Sequence, residues 1–234
     1  TFDTAQLRFA KAAGICVLTD ELVRFSNPSA EAIIRQDLAA AIVQFLDEQF
    51  INPSVVVNGN VSPASITNGA GHAAATGVDA EDFRDDWKLA LLQMLAANIP
   101  PNGCSFVMQP YLAVALSLMR NALGQREFPD ITADGGTLEG YNVVTSNSVR
   151  SGDLVFLKPA EIMLADDGEV TLDASREASI VMDDGTSPAV TTTISLWQTN
   201  RIALRAERTI NWKRRRDAAV YYITGCDYGG TASP

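Results

Sequence analysis

Histidine is almost missing from this chain: His72 is the single one among 234 residues. Ser-His and Cys-His mechanisms, and zinc sites built on imidazole, therefore have at most one residue to draw on. Cysteine is sparse as well. Cys16, Cys104 and Cys226 lie far apart, form no CxxC pair and are odd in number, which argues against a disulfide framework and for buried free thiols. No run of 18 apolar residues occurs, so no segment reads as a membrane-spanning helix. Basic residues are in deficit, 18 against 28 acids, for a net charge of −10 and a pI near 4.5. That balance excludes a generally basic nucleic-acid binder. What is present is core material: 47% hydrophobic and 20% charged residues in 25.1 kDa, enough for one large or two small domains. The chain opens at Thr1 with neither Met nor a signal-like start, and reads as a fragment or processed product cut upstream.

Apolar spacing organises the chain into a helical part and a β-rich part. Gly14 to Leu18 reads as a strand. Asn27-Pro28 is a helix-start signal, since Asn caps and Pro suits the first turn. From there to Phe50, Ile33, Ile34, Leu38, Ile42, Phe45 and Leu46 form one stripe at helical spacing, and Asn52-Pro53 ends it. Residues 58–77 read as loop. A second helix follows, capped by Asp79, with Phe83, Trp87, Leu91, Met94 and Leu95 as its inward stripe. Residues 105–108 read as a strand leading into a third helix, with Pro110 in its first turn, Leu112, Ala115, Leu116 and Met119 inward, and Gly124 as its stop. From Thr137 the period becomes that of strands, at 141–145, 153–157, 162–164, 170–172, 191–196, 202–207 and 218–223. Asp166-Asp167-Gly168-Glu169 is a hairpin signal, and Asp183-Asp184-Gly185 a further turn. The order is α+β, without βαβ repeats.

Motifs for chemistry are weak. Gly69-Ala70-Gly71-His72-Ala73-Ala74 has the look of a dinucleotide fingerprint, but no strand runs into it; a surface loop is the plainer reading. His72 has no carboxylate nearby in sequence and reads as a solvent-facing loop residue. Asp79, Glu81, Asp82, Asp85 and Asp86 could offer oxygens to a divalent cation, but acids in a first helical turn also complement the helix dipole. No catalytic, cofactor-binding or metal-binding residue is assigned.

Charge is distributed unevenly. Residues 201–216 hold seven basic side chains against one acid, Glu207, whereas residues 161–184 hold eight acids against Arg176. A basic band and an acidic face in one chain suit contacts between copies of itself, with Arg214, Arg215 and Arg216 meeting a neighbour's Asp183 and Asp184. A strand edge guarded by charge, or a nucleic-acid contact through Lys213 to Arg216, are the other readings.

Four stretches, in order, carry a resemblance to a known family. They are Ala13-Gly14-Ile15-Cys16-Val17-Leu18-Thr19-Asp20-Glu21-Leu22 running into the long helix, Phe106-Val107-Met108-Gln109-Pro110-Tyr111, Thr137 to Ser146 with its Leu138-Glu139-Gly140-Tyr141-Asn142-Val143 core followed by Gly152-Asp153, and Leu196 to Arg208. Together the chain resembles the major capsid protein of tailed bacteriophages, the Hong Kong 97-type shell fold. The Ser62 to Thr67 loop departs from that family's commoner Pro-x-Gly pattern, as in a divergent branch.

The resemblance implies an α+β phage major capsid (Hong Kong 97-like) fold. A discontinuous peripheral domain, 1–54 and 206–234, would hold a long spine helix, and an axial domain, 55–205, would be inserted in it. The family's N-terminal arm and extended loop are not visible, and its lysine–asparagine cross-link has no matching pair. The implied role is structural: a subunit of an icosahedral phage or prophage head, not an enzyme. Its partners would be copies of itself in hexamers and pentamers, with portal and scaffold proteins, enclosing double-stranded DNA without sequence-specific binding, with no membrane involved. It would be assembled in the bacterial cytoplasm and end in the virion. The alternatives are an encapsulin-type nanocompartment shell and a soluble metal-dependent enzyme with a site near residues 68–86.

Overall fold

The computed structural model describes residues 7, 9–25, 29–59, 61–183 and 191–230. The chain starts with β1 (Lys11–Thr19), α1 (Asp20–Phe25) and the long α2 (Ser29–Ile51). Next come β2 (Gly71–Ala74), α3 (Ala80–Ala96), β3 (Ser105–Met108) and α4 (Pro110–Leu118). The β-rich part comprises β4 (Ile131–Thr132), β5 (Gly135–Leu138), β6 (Tyr141–Thr145), β7 (Leu154–Leu157), β8 (Ile162–Asp166), β9 (Thr171–Ser175), β10 (Ser179–Asp183), β11 (Thr191–Ser195), β12 (Arg201–Arg214) and β13 (Val220–Thr224). This is the expected α+β arrangement.

Most expected elements are present because their local signals are strong. Helix α2 stops at Ile51, just ahead of Pro53, and its 23 residues span about 35 Å at 1.5 Å each. The start signal at Asn27-Pro28 and the turn at Asp184-Gly185 lie outside the described residues. Helix α3 begins after Asp79, whose backbone N–H is accepted by the Asp82 carboxylate at 3.0 Å, the reach-back half of a capping box. Helix α4 opens on Pro110 and ends at Leu118, earlier than Gly124, because Met119 already has extended backbone.

The chain separates into two compact units. Among the described residues, one unit is built on residues 47–165 and 211–230, and the other on residues 9–46 and 166–210. The physical reason is strand pairing. β13 does not rejoin the N-terminal segment; it lies inside a seven-stranded sheet of order β2-β13-β7-β3-β6-β5-β4. Conversely β9 pairs with β12, and β12 with β1.

In the first unit, Phe106, Phe156, Tyr221 and Val143 stand in one cross-strand row, with Met108, Leu154 and Ile223 two residues along. Side chains two apart share a sheet face. On that face α3 packs Phe83, Ala90 and Met94, and α4 packs Leu112, Ala113 and Leu116, into one core cluster. Rings dominate it: Phe106 and Phe156 lie 4.8 Å apart, and Phe83 meets both Phe128 and Tyr228 edge-on at 5.5 Å. Each such buried side chain contributes about 1.5–3 kcal/mol. Leu95, expected inward, is 55% exposed; the deepest line of α3 is Phe83, Asp86, Ala90 and Met94.

In the second unit, β12 is the central strand. β1 pairs along it from Lys11↔Thr209 to Thr19↔Arg201, and β9 takes its other edge from Ala203↔Ser175 to Glu207↔Thr171. β8 also pairs with β12, not with β9. The expected hairpin at residues 166–169 is therefore a bend between two strands that share one partner, closed by the Asp167 N–H donating to the Thr209 carbonyl at 3.1 Å. Helix α2 covers β1 at Gly14, where a Cβ would stand 3.6 Å from Leu38 Cδ1. Ile42 and Leu46 are buried, but Ile33 and Phe45, read as part of the same stripe, are about half exposed. β10 and β11 form a separate two-stranded ribbon.

Candidate assembly surface

The basic band of residues 201–216 lies almost wholly on β12, and strand register decides what its charges do. Arg205 stands directly opposite Asp173 of β9, and Nη2 reaches that carboxylate at 2.9 Å. Lys11, diagonal to Glu207 across β1, meets it at 2.5 Å, and Arg205 Nε approaches the same carboxylate at 3.6 Å. Arg208 Nε donates to Asp166 Oδ1 at 3.1 Å, with a second contact from Nη2 at 2.5 Å. These hydrogen bonds, and that from the Gly168 N–H, hold the Asp166 carboxyl below the usual carboxylate range.

The three arginines expected to face a neighbour behave differently from one another. Arg214 is only 13% exposed; it donates to the Ile66 carbonyl at 3.0 Å and the Asn68 carbonyl at 2.8 Å, and meets Asp217 at 3.2 Å. It pins the 66–68 segment to its own strand. Arg216 clasps Glu161 and holds its carboxyl below the usual range through those hydrogen bonds. Arg215 uses its backbone, donating to the Glu161 carbonyl at 2.7 Å, and its side chain is exposed. Lys213 is exposed as well. Asp183 ends β10 in the second unit, opposite Thr191, and Asp184 lies outside the described residues. The band is thus mostly neutralised within its own chain, which the local count of charges conceals.

The other singled-out residues are structural in their settings. His72 is on β2, not in a loop; its ring stacks on Tyr222 at 5.0 Å and 17°. The stretch read as loop forms this strand because β13 offers it a parallel edge, Tyr221↔Gly71 to Thr224↔Ala74. The acids around α3 do not converge: Asp82 serves the helix start, Asp85 lies 3.8 Å from Lys88, and Asp86 is buried, accepting from Tyr228 Oη at 2.7 Å and the Thr76 N–H at 3.0 Å. Among the described residues no group of three or more His, Cys, Asp or Glu is arranged to hold a metal ion. Cys104 and Cys226 are buried and free, and burial pushes the Cys226 thiol up to about 12. No helix among the described residues is long and apolar enough to cross a membrane.

Sequence reasoning missed a surface feature of the first unit. Arg84 on α3 bridges Glu127 at 2.7 Å and Glu139 at 2.8 Å, over the face of Phe128. Only chain separations of 43 and 55 residues connect these partners, so no local spacing announces them.

A family model described as the phage capsid family matches residues 1–225. The chain belongs to that family. A capsid polyprotein of Pseudomonas phage PAJU2 is 43% identical over 235 residues, covering 97% of this chain and 35% of that protein. This capsid-family chain therefore spans about a third of the length of that curated relative. Among solved structures, one of Mycobacterium phage Adephagia superposes with a TM-score of 0.71 at 17% identity, covering 93% of this chain and 72% of that one. One of Gordonia phage Cozz gives 0.69 at 18%, covering 93% and 70%. The capsid of an empty GTA particle computed with C5 symmetry gives 0.61 at 16%, covering 94% and 74%. The fold of this family member is the Hong Kong 97-type shell fold.

Proposed function

We propose that this chain is the shell-building part of a phage or prophage head, a structural subunit whose copies form hexamers and pentamers around double-stranded DNA. The observation that carries the reading is the 43% identity along 97% of the chain to a capsid polyprotein. The mechanism is geometric. Many modest contacts per subunit, repeated under rotational symmetry, close a shell without any reactive centre. The net charge of −10 supports a container that does not adhere to its cargo, since affinity for DNA comes from neutralising phosphates.

In this reading the unit with α2, built on residues 9–46 and 166–210, is the peripheral domain, and the unit with the seven-stranded sheet is the axial domain. Portal and scaffold proteins are its partners in the head, and assembly takes place in the bacterial cytoplasm. Of the basic band, Lys213 and Arg215 are left to meet a neighbour's acids, with Asp183 and Asp184 as their counterparts. Arg215→Glu then weakens assembly while leaving the fold intact; an unchanged yield of particles removes Arg215 from the interface.

The deciding experiment is electron microscopy of particles made by the full chain in bacteria. Shells of uniform diameter that package DNA in the presence of the head proteins are expected. A monomer at every concentration, or shells that enclose only a protein cargo, would overturn the reading.

A further inference from the structure

The segment after α4 makes a small exposed loop whose two arginines form no ion pair among the described residues. Arg120 and Arg126 face each other across an isolated antiparallel bridge at its neck. Directly opposed residues send their side chains to the same side, and like charges so placed repel. Both arginines are exposed, and neither forms an ion pair among the described residues. The loop is nevertheless ordered: the Arg120 guanidinium donates to the Gly124 carbonyl at 2.9 Å, and Asn121 Oδ1 accepts the N–H groups of Leu123 and Gln125, each at 3.0 Å. At its tip Leu123 is 84% exposed. An ordered loop carrying a bare leucine between two unpaired cations is a knob without a socket.

A complementary socket lies in the same unit. A cavity of about 300 Å³ is lined by Arg84, Glu127, Phe128, Asp130, Thr137 and Glu139 among others. Its three carboxylates outnumber the one guanidinium, leaving two negative charges, equal and opposite to those of the knob. Arg84 engages Glu127 and Glu139. Asp130 is exposed and has no ion-pair partner among the described residues. The Phe128 ring is 5% exposed and lies beneath the Arg84 guanidinium, so what the cavity offers the loop is charge complementarity.

We propose that the 120–126 loop of one copy seats in the Arg84–Asp130–Glu139 cavity of the next copy, a head-to-tail contact that closes the capsomer ring. This rests on the shell-forming reading above and names the partner surface. Knob and cavity are different patches, so their union is heterologous, and repeating it generates a ring. They are close together in the chain, since Arg126 directly precedes Glu127 of the cavity. Equivalent points of neighbouring copies approach each other only near the rotation axis, so this contact belongs at the centre of the ring.

The test is charge exchange in the full chain, with capsomer and shell yield read by electron microscopy and sedimentation. Arg126→Glu and Asp130→Arg each lower the yield about tenfold, and the two together restore it to within about threefold of the parent. Native circular dichroism checks that the singles fold; if either does not, Arg126→Ala and Asp130→Ala replace them. A second readout is direct. Leu123→Cys with Thr137→Cys, oxidised within assembled capsomers, gives a ladder of covalently linked chains. Singles that assemble like the parent, a double that does not recover, or the absence of that ladder each overturn the contact. In all three cases the parent still forms shells, so the proposed function stands; a parent that forms none fails that function instead.

Discussion

Arg216 grips Glu161 with both arms of its guanidinium, Nε at 2.9 Å from Oε2 and Nη2 at 2.5 Å from Oε1. The carboxylate is 8% exposed, and its own backbone carbonyl takes the Arg215 N–H at 2.7 Å. A forked pair of this kind is stronger than a surface ion pair because geometry and charge act together.

Glu161 is held below the usual carboxylate range chiefly by the hydrogen bonds from Arg216. A group depressed in the folded state stabilises fully above its unfolded value, and that stability drains away as pH falls through the folded one. Glu161→Gln keeps the shape and removes the charge. Thermal unfolding of the variant should lie below the parent at neutral pH, with the two curves converging in acid as pH falls through the lowered value of the folded carboxyl. A gap that persists unchanged in acid refutes the assignment.

Asp153 has the opposite sign. Burial raises its carboxyl, and the hydrogen bond from Arg150 opposes that only in part. Its side chain is 3% exposed whereas Arg150 is 51% exposed, so losing the charge leaves no buried cation behind. A raised carboxyl costs stability as pH climbs through the folded value. Asp153→Asn should therefore unfold at a higher temperature than the parent near neutrality, with the advantage shrinking in acid. Chemical denaturation at two pH values measures it.

Tyr228 is fully buried and donates its hydroxyl to Asp86, which is 1% exposed. Tyr228→Phe preserves the ring against Phe83 and removes the hydroxyl donor, while the Thr76 N–H still donates to that Asp86 oxygen. The loss should be about 2 kcal/mol in urea unfolding, with unchanged secondary structure.

Two glycines should respond oppositely to alanine. At Gly136, φ is +132° and a Cβ would lie 2.2 Å from the Asp130 carbonyl oxygen, so Gly136→Ala should cost more than about 2 kcal/mol and loosen β4 against β5. At Gly14 the new methyl meets Leu38 Cδ1 at 3.6 Å, an ordinary contact. Gly14→Ala should be neutral or stabilising by about 0.5 kcal/mol, as seen by melting temperature.

What was legible in the sequence divides along physical lines. β3 and β6 fell where residues 105–108 and 141–145 were read, because short apolar runs bounded by Gly, Asn and Pro punctuate themselves. The Asp79 start of α3 and the Pro110 start of α4 are local chemistry and were equally visible. β2 was hidden because Gly71-His72-Ala73-Ala74 lacks β-branched residues and depends on a partner strand 150 residues away in the chain. The hairpin at 166–169 failed for a related reason: Asp-Gly licenses a turn, but β12 is long enough to accept β8 and β9 separately. Arg214 and Arg216 looked like surface charge, since nothing local reveals Ile66, Asn68 or Glu161 as their acceptors. The capsid family itself was legible from the order of four stretches, each modest alone.

β13 is an interior strand, flanked by β2 on one side and β7 on the other, and among the described residues it is the last strand. A polypeptide still on the ribosome therefore has a gap in the middle of its largest sheet until residues 220–224 emerge. A product cut short before residue 220 carries that open seam, with the facing edges of β2 and β7 unpaired.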